Sequence, residues 1–455
     1  MERNAQTDTL KVRTDNKQIL SIALPITLAI FIPQLNLLIN SIFLGHLSKE
    51  ALGNAGITGI FYMIFAVAGH GLNSSMQSVF SNYAGQDKPD FFKLILGQGI
   101  RISLQIAAAF MLFTWLLGPL ILQKVADPVS FPAEMSFLNI RIIGLPFLFL
   151  FQMGNSFLIS SLNSRLLIIG FVVEAGVNIL LDYLLIFGKA GFPELGFNGA
   201  AWASVISEAV GMLVVFSVIY FAGLQKKYKL LSTFSYDKYI SKQIFKVAVP
   251  LIFQFVISVS TWFVFFLLIE SKGDTAKAIS NTMRNVFGLA GVFVWAFAGT
   301  SNTMISNLIG QGRENMVVPT LIRISCWSFG LCAVMVSILN FYPELFFNLF
   351  GQDQKFVTEG IPVIRVVSLA MLLMSISNIW LNGITGTGKT KINLMIEVVS
   401  ILLYLVYTWY VMIYNYNSLA LAWSNEFIYW SVIFLLSFFY IKSNKWKSKP
   451  FPMES

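Results

Sequence analysis

Apolar stretches recur along the chain from residue 18 to about residue 441, separated by short groups of Gly, Pro, Asn and charged residues. A helix needs roughly 20 mostly apolar residues to cross a bilayer, and these stretches reach that length. The pattern predicts twelve membrane helices, in segments near 18–44, 53–84, 94–118, 135–161, 166–188, 199–222, 243–269, 277–309, 319–347, 358–382, 392–413 and 418–441. The break at YNYNS, between the last two segments, is the weakest of these boundaries.

Composition agrees with this pattern, since 56% of the residues are hydrophobic and only 12% are charged. No soluble domain of 455 residues has that balance. The predicted fold class is therefore an all-α polytopic membrane protein. The first apolar stretch is too long for a secretory signal and lacks a small-residue cleavage pattern, so we expect it to remain in the mature chain.

The distribution of charge predicts the topology. Lys and Arg number 31 against 22 Asp and Glu, which gives a net charge of +9. Most of the basic residues lie in the even-numbered loops, the two tails and the adjoining helix ends. By the positive-inside rule, both termini are cytoplasmic in a multi-pass protein of the plasma (inner) membrane. Topology accounts for the positive charge, so we expect no nucleic-acid partner.

An internal repeat divides the chain into halves. KQILSIALP at 17–25 aligns with KQIFKVAVP at 242–250, and the same offset aligns SNYAGQ at 81–86 with SNLIGQ at 306–311. Because each half has an even number of spans, both halves have the same orientation. We therefore predict two six-helix pseudo-symmetric lobes with tails and a linker, bounded at 1–17, 18–222, 223–242, 243–441 and 442–455.

The stretch NILLDYLLIFGKAGFPELGFNGAAWAS at 178–204 resembles the multidrug and toxic compound extrusion (MATE) transporters, with support from NSIFLGHL at 40–47 and RIIGLPF at 141–147. The resemblance implies two lobes around a central cavity and export of amphipathic, often cationic compounds in exchange for H⁺ or Na⁺ by alternating access. It implies a transporter and not an enzyme, with membrane lipid and small molecules as partners and no cofactor. We expect a monomer.

Ionisable groups inside membrane helices are costly and are functional candidates by default. The carboxylates well inside the predicted helices are Glu174, Asp182, Glu208, Glu397 and Glu426. In the fifth segment, Glu174, Asn178 and Asp182 stand at i, i+4 and i+8 and form one polar stripe.

The resemblance maps a cation-coupling cluster onto Asp182, Asn178, Asn40 and Ser204, and their depths in the bilayer allow them to meet. The family commonly has Asp where this chain has Asn40, which leaves Asp182 as the only acid of the cluster. One H⁺ could bind there, or Na⁺ through Asn and Ser oxygens. The alternative interpretation is a buried Asp182 that hydrogen-bonds to Asn178 without an ion.

Further residues are candidates for the cavity or a proton relay, namely Asn36, Glu174, Glu208, Arg284, Glu397 and Glu426. Arg284 and Glu426 have similar depth and could pair, while a structural role is the favoured interpretation of Glu397. Pro25 and Pro33 each remove a backbone hydrogen bond, which makes them natural bending points of helix 1.

Other polar residues are assigned structural roles. Arg141 and Arg365 are repeat equivalents near outer helix ends, and we interpret both as snorkelling anchors. The cysteines Cys326 and Cys332 share one apolar run, and His46 and His70 are isolated, so we expect no metal site.

Two other functions are alternatives to drug efflux. Related proteins flip lipid-linked oligosaccharides or cell-wall precursors, and Arg284 could serve a pyrophosphate head group, but such flippases usually have fourteen spans. GITGTGKT at 383–390 fits the P-loop pattern, which predicts a nucleotide site only after a strand and before a soluble helix. Its flanks here are apolar runs of membrane-helix length, so we expect no nucleotide partner.

Overall fold

The computed structural model describes residues 10–125, 127–232, 235–348 and 354–447, so the predicted tails lie partly outside the described residues. Within these ranges, twelve helices are long and apolar enough to cross a membrane, judged by length and composition. In chain order, α1 to α12 are Asn16–Leu47, Lys49–Gly85, Phe91–Val125, Phe131–Ser160, Leu167–Phe187, Phe197–Phe221, Lys238–Glu270, Asp274–Gly310, Val317–Phe341, Gln354–Gly386, Thr390–Tyr414 and Leu419–Lys442.

The predicted all-helical fold with twelve spans is confirmed, and the described residues contain no β-strand. Two predicted ends were wrong by several residues. The third segment was predicted to end at 118, but α3 continues to Val125. The ninth was predicted to end at 347, but α9 ends at Phe341 and a separate short helix, Pro343–Asn348, follows it. Pro343 cannot continue a helix but is favoured at the first position of a new one. The weak break at YNYNS is real, since Ser418 accepts a hydrogen bond from the backbone of Leu421 and caps the start of α12.

Proline has different consequences in α1 and in α4. α1 is one uninterrupted helix through both Pro25 and Pro33. In contrast, α4 consists of helices Phe131–Arg141 and Leu145–Ser160, which a 3₁₀ turn of residues 142–144 joins. Pro146 stands in the first turn of the second part, where its missing N–H costs little. The break places Arg141 at the junction of the two parts.

The described chain forms two compact units. The first unit contains Leu24–Ile252, and the second contains Val12–Ala23 together with the described chain from Phe253 onward. The start of α1 therefore groups with the second unit. The lobe boundaries inferred from the repeat stay a prediction.

Side-chain amides hold the segment before α1 within the second unit. The backbone N–H of Val12 donates to Asn307 Oδ1 at 3.0 Å, and Gln311 Nε2 donates to the carbonyl of Val12 at 3.0 Å. Arg323 donates to the carbonyl of Thr14 at 2.6 Å. Because these bonds satisfy both backbone polar groups of Val12, the residue does not need water as a partner. Val12 is accordingly buried.

The segment GITGTGKT lies at the end of α10 and the start of α11. A Cβ on Gly386 would stand 2.8 Å from the backbone oxygen of Asn302 in α8, and one on Gly383 would stand 2.7 Å from Leu321 Cδ2 in α9. Gly388 has φ of 74°, a conformation that favours glycine. Close helix packing and a tight turn therefore explain these three glycines.

Candidate functional site

The polar stripe of α5 is in part buried in the first unit. The side chains of Asn178 and Asp182 are buried, with Asp182 0% exposed, while Glu174 is half-buried. Gly170, Ala175 and Leu185 share the buried side of α5, as the helical period requires. The helix thus carries a carboxyl group into the interior of the unit.

Glycines allow α5 and α6 to pack closely around this stripe. A Cβ on Gly199 of α6 would stand 2.6 Å from the backbone oxygen of Leu185, and one on Gly211 would stand 3.1 Å from Glu174 Cβ. A side chain at position 199 would force the helices apart, whereas one at position 211 would require Glu174 to shift slightly. The packing of these two helices therefore fixes where the acids of α5 lie.

Helix α1 reaches the stripe through an amide pair. Asn36 Nδ2 donates to Asn178 Oδ1 at 2.8 Å. Both helices are odd-numbered spans, which cross a bilayer in the same direction. One turn, about 6 Å, further along each helix come Asn40 and Asp182, which are therefore expected at the same level.

Several oxygens around the amide pair lack a hydrogen-bond donor. Among the described residues, no donor reaches either carboxyl oxygen of Asp182, nor the side-chain oxygens of Asn36 and Asn40, although all four atoms are buried. Buried polar atoms are normally satisfied, and each exception needs an explanation. Carboxylate and amide oxygens are ligands for Na⁺, and a carboxylate also binds H⁺. The unpartnered atoms thus form the candidate ion site.

Ser204 does not join this arrangement by hydrogen bonding. It is half-buried in α6, and its hydroxyl has no hydrogen bond to Asn178 or Asp182 in the described structure. Its backbone carbonyl accepts from the Ser207 hydroxyl at 2.9 Å. The structure therefore joins Asn36 to Asn178 directly and leaves Asn40 and Ser204 without a bond to the stripe.

A buried ion pair lies in the same unit. Arg141, at the break in α4, donates to both carboxylate oxygens of Glu208 in α6, at 2.8 and 2.6 Å. The two side chains are 14% and 6% exposed. The guanidinium stacks 3.7 Å from the ring centroid of Tyr62 in α2, and the Tyr62 hydroxyl donates to Glu208 at 3.2 Å. Bidentate geometry and stacking make this a well-satisfied ion pair.

The interpretation of Arg141 as a snorkelling anchor was therefore wrong, because its charge is neutralised inside the unit. Arg365, its repeat equivalent, is exposed. Sequence reasoning missed both the partnership of Arg141 with Glu208 and the contribution of Tyr62. The available signal was the presence of an Arg and a Glu inside helices of the same half, which predicts a pair but not which members form it.

The ion pair is electrostatically connected to the polar stripe. Arg141 interacts with Glu174 and with Asp182 as well as with Glu208. Glu208 accepts hydrogen bonds from two nitrogens of the Arg141 guanidinium. Glu174 and Asp182 therefore interact with the charge of Arg141 only at longer range. The first unit thus holds three acids and one arginine in this region. This excess of acidic groups over basic groups would favour the binding of a cation.

Gly144 is required where the pair forms. A Cβ on Gly144 would stand 2.2 Å from Glu208 Oε2 and 2.9 Å from an Arg141 nitrogen. The 3₁₀ turn that contains Gly144 therefore gives the carboxylate its space.

In the second unit, Glu397 and Glu426 are buried, but Glu426 does not pair with Arg284, as the sequence had allowed. Glu426 accepts instead from the indole of Trp430 at 3.0 Å. Arg284 is exposed, and its guanidinium stands 5.8 Å from the ring of Phe266. The one-turn spacing of Glu426 and Trp430 on α12 satisfies the carboxylate locally.

The sequence-family model of MatE matches residues 25–184 and 250–410, which is most of the chain. The probable multidrug resistance protein NorM of Thermotoga maritima is 23% identical over 95% of this chain and 93% of that protein. The probable multidrug resistance protein NorM of Listeria monocytogenes is 31% identical over 44% of this chain and 44% of that protein.

Solved structures agree with the fold. The crystal structure of a MATE mutant superposes with a TM-score of 0.86 at 15% identity, covering 96% of this chain and 97% of that one. A MOP superfamily transporter from Pyrococcus furiosus superposes with a TM-score of 0.84 at 16% identity, covering 96% of each chain. The fold and the matches define a multi-pass membrane transporter, not an enzyme. The chain belongs to the MatE family.

Proposed function

We propose that this transporter is a multidrug efflux antiporter, which exports amphipathic, often cationic compounds in exchange for H⁺ or Na⁺. A relative that aligns over 95% of this chain carries the name probable multidrug resistance protein NorM. The observation that carries the coupling proposal is Asp182, which is fully buried while both of its carboxyl oxygens lack a donor within the described residues. A buried carboxylate without a donor or an ion-pair partner is costly, so a bound cation would stabilise it.

In the proposed cycle, the incoming ion binds Asp182 with help from the oxygens of Asn36 and Asn40. Ion binding favours one conformation of α1 over another, with Pro25 and Pro33 as the positions where its backbone bends. Alternating access of the two lobes then couples the ion to the exported compound, because each ligand shifts the same conformational equilibrium.

Both coupling ions are compatible with this proposal. A single carboxylate favours H⁺, whereas the amide oxygens of Asn36 and Asn40 would complete a Na⁺ shell. Glu174, which lies within the field of Arg141 and Glu208, is proposed as a relay position. Ser204 retains a proposed role only in a conformation that brings its hydroxyl closer to Asp182.

Purified protein in proteoliposomes tests the proposal, with ethidium as the fluorescent cation. Imposing a pH gradient and a Na⁺ gradient separately should drive ethidium with at least one of them. Asp182→Asn keeps the shape of the side chain and should abolish the gradient-driven part. Full transport by Asp182→Asn, or transport that neither gradient drives, would contradict the coupling proposal.

The distribution of basic residues supports the proposal that the protein lies in the plasma (inner) membrane with both termini cytoplasmic. We also propose that it is a monomer. Accessibility of single cysteines introduced into the loops to a membrane-impermeant reagent would test the orientation.

Arg284 is the observation that favours a second candidate, a flippase for lipid-linked oligosaccharide or cell-wall precursors. It is an exposed cation inside α8 that forms no ion pair within the described residues. Arg284→Gln would distinguish the candidates, because a pyrophosphate substrate needs that charge and a cationic drug does not. Retained ethidium transport by this variant supports efflux, whereas loss of a surface glycan without drug sensitivity supports the flippase.

A further inference from the structure

The second unit contains a buried carboxylate that the proposed coupling site does not use. Glu397 of α11 is 1% exposed, and both of its oxygens accept hydrogen bonds. The Tyr429 hydroxyl donates to Oε1, and Gln254 Nε2 donates to Oε2 at 3.4 Å. Three helices, α7, α11 and α12, thus meet at this side chain.

The hydrogen bonds at Glu397 continue to a third group. Ser258 Oγ lies 3.0 Å from the hydroxyl of Tyr429. A tyrosine hydroxyl has one proton, and Tyr429 uses it for the hydrogen bond that it donates to Glu397. The Tyr429 oxygen therefore accepts the hydrogen bond from the Ser258 hydroxyl. The chain Ser258 to Tyr429 to Glu397 is therefore directed, with every donor pointing toward the carboxylate.

A second buried acid lies beside this chain. Glu426, one turn before Trp430 on α12, is 4% exposed and accepts from the indole N–H at 3.0 Å. Tyr404 of α11 interacts electrostatically with Glu426 and with Tyr429, and its ring packs edge-on against that of Tyr429 at 5.8 Å. Two acids and two tyrosines therefore form one buried cluster.

Among the described residues, no basic side chain forms an ion pair with either of these acids. In the part of the chain that the structure describes, neither Glu397 nor Glu426 forms an ion pair, and Arg284 is exposed beside Phe266. Glu208 differs from both acids, because it forms an ion pair with Arg141. An uncompensated charge buried among helices is unfavourable, and a carboxyl group escapes that cost by binding a proton.

We propose that Glu397 and Glu426, with Tyr429 and Tyr404 between them, form a proton-binding site in the second unit. Both carboxyl groups are buried, and neither forms an ion pair within the described residues. A protonated carboxyl group avoids the cost of a buried charge and gains an O–H that can donate a hydrogen bond. Gln254 Oε1 and the Tyr404 hydroxyl oxygen lack a partner among the described residues and could accept that bond.

Proton binding at this site is independent of the proposed antiport, whereas a role in coupling rests on that proposed function. Protons enter and leave the carboxyl groups without breaking a covalent bond between heavy atoms.

Infrared titration of the purified full-length protein in nanodiscs tests proton binding directly. A carboxylic acid has a C=O stretching band that a carboxylate lacks, so lowering the pH should increase this band in the wild type. Glu397→Gln and Glu426→Gln should each remove part of the titrating band, and Tyr429→Phe should shift its frequency by removing a hydrogen bond. Glu359→Gln, a change at an exposed acid, is the control and should leave the buried band unchanged.

Two outcomes would overturn the proposal. The first is a titrating band that is the same in the wild type, Glu397→Gln and Glu426→Gln. The second is a carboxylic acid band in the wild type that does not change with pH, which would mean that the two acids do not titrate. Asp182→Asn separates this result from the antiport proposal, because it should abolish ethidium transport while leaving the bands of Glu397 and Glu426 in place.

Discussion

Asn36 of α1 and Asn178 of α5 are joined by a side-chain hydrogen bond of 2.8 Å. This bond connects α1 to the polar stripe of α5. In the described structure, neither Asn40 of α1 nor Ser204 of α6 forms a side-chain hydrogen bond with the stripe. The contact sets the register of the two helices, and with it the distance between Asn40 and Asp182. It therefore decides which oxygens an ion bound at Asp182 can reach.

Replacing Asn36 with Ala should destabilise the protein by about 1–3 kcal/mol, since Asn178 would be left buried without its donor. A lower thermal unfolding midpoint in detergent would measure this. Asn40→Ala is the matched control, because it stands one turn away on the same helix and loses no hydrogen bond. Equal effects of the two substitutions would contradict the role assigned to the Asn36–Asn178 bond.

Asn40→Asp should strengthen cation binding by adding a second acid at the level of Asp182. We expect the Na⁺ concentration for half-maximal ethidium transport to fall by about tenfold, which corresponds to about 1.4 kcal/mol. The measurement is the Na⁺ dependence of transport in proteoliposomes at fixed pH. An unchanged Na⁺ dependence would show that Asn40 does not face the ion.

Arg141→Met should destabilise the first unit by about 3–5 kcal/mol, because it leaves the carboxylate of Glu208 buried without its partner. Adding Glu208→Gln should recover part of that loss, and the double-mutant cycle gives the coupling energy. Arg365→Met is the control at the exposed repeat equivalent and should change the unfolding midpoint little. A similar loss from both single arginine variants would argue against a special ion pair.

Gly144→Ala should lower stability by about 1–3 kcal/mol, because the added methyl group overlaps a carboxylate oxygen of Glu208. Gly330→Ala in α9 tests the same change where nothing lies within 4 Å of the new methyl group. There the unfolding midpoint should hold or rise, since alanine favours a helix over glycine. Equal destabilisation by both changes would point to backbone effects instead of the clash.

The helices could be predicted from sequence because membrane length and apolarity constrain them strongly. The fifth segment was predicted at 166–188 and forms Leu167–Phe187. The ninth was predicted too long because apolar residues continue past the proline that starts a new helix. Hydropathy reports how apolar a run is, but it does not report a change of direction inside the run.

The site could be predicted only along single helices. The spacing of Asn178 and Asp182 places them one turn apart on α5, and both are buried. The contacts between helices were not readable in this way. The sequence predicts Asn36 as a cavity or relay residue and not as a member of the coupling cluster, yet it forms the bond to Asn178. Helical periodicity gives the face of a residue, whereas the rotation of one helix against another depends on packing such as that at Gly199 and Gly211.

The space at Gly144 links three positions that lie far apart in the chain. Any side chain there would occupy the place of a Glu208 carboxylate oxygen, and Glu208 in turn neutralises Arg141. Substitution at one of the three positions therefore removes the structural constraint on the residue types at the other two. Across an alignment of related sequences, these positions should covary, with glycine at 144 found where the arginine and the glutamate occur together and lost where they are lost.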